Sequence, residues 1–110
     1  MEKFIKGDVI VVPFPFSDLS NSKRRPALVL ANLESDDLIL AQITSKDIFD
    51  SYSIEIKSND FSNGTLNKKS NIRPNKIFTA DKDIILYKIG RLTDKKMGEI
   101  TNKIVEIFTI

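Results

Sequence analysis

The sequence contains no cysteine, no histidine and no tryptophan. Without thiols there are no disulfides and no thiolate metal sites, a usage that fits a reducing compartment such as the cytoplasm. Without imidazole, the usual acid–base catalyst near neutral pH and the commonest metal ligand are both missing. Any chemistry has to run on Arg, Lys, Asp, Glu, Ser, Thr or Tyr, and no metal or other cofactor is expected. Long apolar runs are also lacking: the longest, residues 9–16, carries two prolines and falls far short of the roughly 20 residues that span a bilayer. The opening MEKFIKGD reaches charged residues before an apolar stretch builds up, so no signal peptide and no membrane association are expected. Glycine and proline are sparse, four of each, and no Pro-, Gly- or Ser-rich linker divides the chain. One domain spanning residues 1–110 is expected.

What is present is ordinary globular material, 41% hydrophobic and 29% charged. Seventeen basic against fifteen acidic residues leave a net charge of +2, which permits a nucleic-acid partner without demanding one. Short β-branched runs dominate the first two-thirds: DVIVVP from Asp8, PALVLAN from Pro26, LILAQI from Leu38 and the strictly alternating YSIEI from Tyr52 all read as strands. Residues 13–25 read as a loop rich in turn formers, and Asn63-Gly64 is a turn signal inside a polar stretch. The segment from Asn71 to Ala80 is interrupted by Pro74, and IILYKI from Ile84 reads as a strand stopped by Gly90. Beyond Thr93, a reasonable N-cap, Met97, Ile100, Ile104, Ile107 and Phe108 recur at helical spacing. That stripe reads as core packing. Five or six short strands followed by a helix predict a small, strongly bent sheet or barrel, mainly β, with the helix packed on it.

Chemistry is concentrated in three places. Lys23, Arg24 and Arg25 run into Pro26, and a residue before proline is biased to extended backbone, so Arg25 is presented from a fixed position. A planar, permanently charged guanidinium held there suits a phosphate gripped by two parallel hydrogen bonds; the competing reading is a solvated basic turn. Thr44-Ser45-Lys46 puts two hydroxyls and an ammonium at a strand end, where they act on phosphate oxygens or merely form a turn. NIRPNK, residues 71–76, again sets an arginine before a proline and gives Arg73 the presentation of Arg25. Phe14 and Phe16 offer stacking surfaces for bases, or pack in a core or a dimer contact.

Taken in order, GDVIVVPFPFSDLSNSKRRPALVL, QITS and SNIRPNKIFTADKDIILYKIGRL, closed by a helix, resemble the MazF/PemK family of type II toxin–antitoxin toxins. PFPFSDLS followed by KRRPALVL is typical of a PemK-like branch. The resemblance implies an SH3-like small β-barrel with a C-terminal helix, in a homodimer whose interface groove holds single-stranded RNA. It implies metal-independent, sequence-specific cleavage of mRNA, the ribose 2′-hydroxyl attacking to leave a 2′,3′-cyclic phosphate and a 5′-hydroxyl. It also implies a cognate antitoxin and a cytoplasmic location. Carried over residue by residue, Arg25 and Thr44 match catalytic positions, and Arg73 matches a position that is catalytic in some members. Lys23, Arg24, Phe16, Asp18, Ser45, Lys46, Asn75 and Lys76 become candidates for RNA binding. The chain departs from the pattern in two ways: Asn75 stands where some members have an aspartate, and the loop histidine of others has no counterpart. The alternative is a barrel of the same kind that binds nucleic acid or a protein partner without cutting.

Overall fold

The first three strand-forming runs are apolar at nearly every position rather than at alternate ones, which requires a sheet covered on both faces. The computed structural model, which describes residues 3–14 and 23–110, has that architecture. The sequence candidates Phe16 and Asp18 lie outside the described residues. Seven strands are found among the described residues: β1 (Asp8–Phe14), β2 (Lys23–Asn32), β3 (Asp37–Thr44), β4 (Ile54–Ile56), β5 (Phe61–Asn63), β6 (Ser70–Asp81) and β7 (Tyr87–Leu92). They form one antiparallel sheet in the order β4-β6-β3-β2-β1-β7-β5, and helix α1 (Asp94–Phe108) follows. This strongly bent sheet with a C-terminal helix is the expected SH3-like, mainly β fold.

The period-2 geometry of a strand sorts the side chains into two cores. Val9, Leu28, Ala41, Ile43, Ile54, Ile56, Ile72 and Leu92 face Met97 and Ile100 of the helix. Ile10, Val12, Ala27, Val29, Leu38 and Leu40 point the other way, towards Phe4 and Ala80, with Phe78, Ile84 and Ile85 at the margin. The helix begins as its sequence dictates, with the Thr93 hydroxyl accepting from the Lys96 amide at 3.2 Å. Its apolar stripe is covered along the first turns, Ile104 still packs partly buried against the same core, and the C-terminal end is open. Met97 and Ile100 are buried, whereas Phe108 is 74% exposed, so the reading of the whole stripe as core does not hold. Among the described residues no helix is long and apolar enough to cross a membrane.

Four expectations about elements need correction. β2 starts at Lys23 rather than Pro26, because Lys23, Arg24, Arg25 and Pro26 pair with Phe14, Pro13, Val12 and Val11 of β1. β6 continues through Pro74 because the ladder slips there: Ala41 opposes Ile77 while the next residue, Gln42, opposes Arg73, leaving residues 74–76 as a bulge. The last strand is Tyr87–Leu92 and contains Gly90, which is therefore no stop signal. Residues 61–63, read as part of a polar turn region, form a short strand against β7.

Gly90 has a steric task there. A Cβ built on it would overlap the Asn63 carbonyl oxygen and stand 2.9 Å from the Gly64 Cα. Gly64 itself adopts φ +72°, where a side chain is strained. Two facing glycines thus let the backbones of β5 and β7 touch. Gly90→Ala is expected to push β5 off β7 and cost about 3 kcal/mol, measured as a lower midpoint in urea unfolding with an unchanged slope.

The buried Asp8 explains the Gly-Asp pair that opens the first motif. Its carboxylate is fully buried and accepts from Arg91 Nε at 2.9 Å and from the Ile5 amide at 2.9 Å, with Lys88 Nζ at 3.7 Å. Asp8 and Arg91 face each other across β1 and β7, so this ion pair ties the N-terminal segment to the seventh strand.

Candidate active site

Seven of the candidate residues meet where two neighbouring strands part. β2 pairs with β3 only from Ala27, opposite Gln42, onward. Before that point Lys23–Pro26 stay with β1, while Gln42, Ile43 and Thr44 stay with β6 opposite Arg73, Ile72 and Asn71. A cleft of about 680 Å³ opens in this splay. Lys23, Arg24 and Arg25 line it from β2, Thr44, Ser45 and Lys46 from the end of β3 and the turn after it, and Arg73 from β6. Leu66, Asn67, Lys68, Phe14, Tyr87 and Ile89 also line it.

Six of the lining residues are cationic (Lys23, Arg24, Arg25, Lys46, Lys68 and Arg73), and none of the described lining residues is acidic. The chain as a whole carries only +2, so the positive charge is gathered rather than spread. A concave surface of one sign focuses the field and concentrates anions.

Local structure fixes several of these groups. Alternation along β3 sends Ile43 into the core and leaves Thr44 half-buried, and along β6 it does the same for Ile72 and Arg73. The Thr44 hydroxyl oxygen accepts from the Lys46 amide at 3.2 Å, which leaves its proton to donate. Asn71 Nδ2 donates to the Lys46 carbonyl at 3.2 Å and holds the same turn from β6. Arg25 is exposed at its place beside Val12.

Arg73 is held differently. Its Nη2 lies 3.4 Å from Asp50 Oδ2, while its Nε is buried without a hydrogen-bond partner. Asp50 Oδ1 accepts from the Tyr52 and Ser53 amides, both at 2.9 Å. The Ser53 amide first, then that of Tyr52, hold the Asp50 carboxyl below its ordinary pKa, and Arg73 adds to the effect.

Of the sequence candidates, Lys23, Arg24, Arg25, Thr44, Ser45, Lys46 and Arg73 share the cleft. Asn75 and Lys76 do not line it; both are exposed on the bulge of β6. Lys68, Asn67, Tyr87 and Asp50 were not anticipated. Lys68 had a faint signal in the Lys68-Lys69 doublet, and the others had none, since their positions depend on strands distant in sequence. Among the described residues no group of three or more carboxylates gathers as a metal-ligand set.

A family model described as the PemK-like, MazF-like toxin of type II toxin–antitoxin systems matches residues 5–108. Among curated proteins no relative matches the sequence. Among solved structures, the chain superposes on MazF from Deinococcus radiodurans with TM-score 0.78 at 15% identity, covering 100% of each chain. An endoribonuclease from a mycobacterial species, solved with its cognate antitoxin, gives TM-score 0.78 at 14% identity over 98% of this chain and 97% of that one. The Mycobacterium tuberculosis toxin MazF-mt6 gives 0.74 at 16% identity over 94% and 97%. Identities this low establish a shared fold, and the family model covers nearly the whole chain. The protein described here belongs to the PemK-like, MazF-like family of type II toxin–antitoxin toxins.

Proposed function

We propose that the protein is the toxin of a type II toxin–antitoxin pair and acts in the cytoplasm as a metal-independent, sequence-specific endoribonuclease on single-stranded mRNA. The observation that carries this reading is the splay between β2 and β3, where six cations and no described acid line one cleft with Thr44. A phosphodiester is the anion that such a cleft suits.

In the proposed reaction the ribose 2′-oxygen attacks the adjacent phosphorus in line, the P–O5′ bond breaks, and a 2′,3′-cyclic phosphate and a 5′-hydroxyl result. The 2′-hydroxyl loses a proton and the leaving 5′-oxygen gains one. Negative charge builds on the non-bridging oxygens, and donors fixed in advance stabilise it without reorganising at the moment of reaction. Arg25 and Arg73 supply guanidinium donors and Thr44 a hydroxyl. Arginine stays protonated, so its role is electrostatic rather than that of a base. Holding the dinucleotide in line gives the entropic part of the acceleration. Lys23, Arg24, Ser45, Lys46 and Lys68 take neighbouring phosphates. Tyr87, 46% exposed at the cleft wall, and Phe49, 95% exposed on the loop after β3, offer faces for unstacked bases. A homodimer would extend the groove, and an antitoxin with an acidic, partly disordered segment would block it by occupying the same cations.

The test is incubation of purified protein with a long single-stranded RNA in excess EDTA, followed by mapping of the ends. Discrete cuts with 5′-hydroxyl ends are expected. RNA that stays intact yet co-migrates with the protein would instead make this barrel a binding module.

A further inference from the structure

Arg73 depends on a residue that does not itself line the cleft. Asp50 belongs to the loop between β3 and β4, 23 residues away in sequence, and its two carboxylate oxygens have separate tasks. Oδ1 accepts the Tyr52 and Ser53 amides and closes a turn, which fixes the orientation of the carboxylate. Oδ2 is thereby presented to Arg73 Nη2 at 3.4 Å. Both side chains are largely withdrawn from solvent, Arg73 being 22% and Asp50 26% exposed, so the pair is less screened than a surface salt bridge. Asp50 is not among the residues lining the cleft, while Arg73 is. The carboxylate therefore takes one edge of the guanidinium without filling the space a phosphate would occupy. Arg73 Nε, buried and unpaired, remains as a donor not used by the protein itself.

We infer that Asp50 is a positioning residue: it locks the Arg73 guanidinium in the orientation that meets the scissile phosphate, and it fastens the loop carrying Lys46 and Ile48 to β6. This inference rests on the nuclease reading above. Asp50 is not the base for the 2′-hydroxyl. It does not line the cleft, it is engaged by two amides and a guanidinium, and those contacts make it a poorer proton acceptor than an ordinary aspartate.

Asparagine separates the two tasks. In Asp50→Asn the amide oxygen still accepts from Tyr52 and Ser53, but an amide NH₂ replaces the oxygen that faces Arg73, setting donor against donor. The charge of Arg73 stays in the cleft, so attraction of RNA persists while the transition-state geometry is lost. Cleavage of a short RNA carrying one mapped site should show kcat reduced by about 10- to 100-fold with KM changed by less than about 3-fold, as expected for misplacement on the order of 1 Å. In an Arg73→Ala background the same substitution should change kcat/KM by less than about 3-fold, because residues acting as a unit are not additive.

A kcat loss for Asp50→Asn that disappears in the Arg73→Ala background supports the inference. Near-wild-type cleavage, a rise in KM alone, or a loss that persists undiminished without Arg73 overturns it and leaves the nuclease reading standing. Wild-type protein that cuts no RNA overturns both. Cooperative melting of each variant is checked alongside. If the asparagine variant does not melt cooperatively, Asp50→Ser, whose hydroxyl also accepts a turn amide, is put through the same cycle.

Discussion

Arg25→Ala is expected to slow RNA cleavage by about 10²–10³-fold, the usual consequence of removing one preorganised donor from a developing oxyanion. The side chain is exposed on β2 beside Val12, before the point where β2 meets β3, so truncating it leaves no void in either core. Its loss should leave the melting temperature within about 2 °C of wild type, as for surface substitutions away from special features. A rate loss without a stability loss therefore separates chemistry from folding. Five cations remain in the cleft of the variant. RNA should accordingly still bind, with a salt dependence shallower by roughly one phosphate contact. Arg25→Lys keeps the charge but not the planar fork and is expected to recover only part of the rate. The measurement is the initial rate of cleavage of a labelled single-site RNA by the three proteins, beside their binding isotherms at several salt concentrations. Cleavage by Arg25→Ala at the wild-type rate would remove Arg25 from the catalytic machinery.

Ile72→Ala should have the largest effect on stability, about 3–4 kcal/mol, from lost burial and the cavity left behind. Ile72 has no exposed surface and lies in the middle of three strands, opposite Ile43 of β3 on one side and Ile54 of β4 on the other. All three side chains belong to the core under the helix, and a paired sheet cannot easily collapse into the vacated space. For a domain of this size the loss corresponds to a melting temperature lower by on the order of 15 °C. Ile72→Val, which removes one methylene, is expected to cost about 1 kcal/mol. Thermal and urea unfolding followed by circular dichroism measure both. A cost for Ile72→Ala below about 1 kcal/mol would mean that this part of the core is loosely packed. Ile72 also directly precedes Arg73, so the stability of this core and the placement of a cleft residue share one strand.

The fold class was readable because β1 and β3 are dense in β-branched and aliphatic residues and because Thr93 and the Met97–Ile100 spacing mark a helix start. Local signals also led to Arg25, Arg73 and Thr44, two by the proline that follows and one by its place at a strand end. What escaped sequence reasoning was long-range. Pro26 suggests a strand start, yet β2 begins three residues earlier, and Pro26 is tolerated because its position has β1 on one side and no β3 partner on the other. Gly90 suggests a stop, yet it lies inside β7 because Gly64 must approach it. Asp50 carries no signal in the sequence, and its carboxylate closes an ordinary turn by accepting from the Tyr52 and Ser53 amides. Its second role became visible only once β6 brought Arg73 alongside.

The parting of β2 from β3 also bears on how such a protein diversifies. The gap between its two long walls is set by which strands each wall is laddered to, β1 for one and β6 for the other. Its breadth is therefore a gauge inherited with the sheet. Side chains projecting into the gap, such as Lys23, Arg24, Ser45 and Asn67, are not bound by that constraint, since altering them disturbs no ladder. A gauge that stays constant while its inner facing is exchanged lets the lining change through a few surface substitutions. The charge and shape of the facing can then drift while the calibre holds, and the sheet need not be refolded for the lining to change.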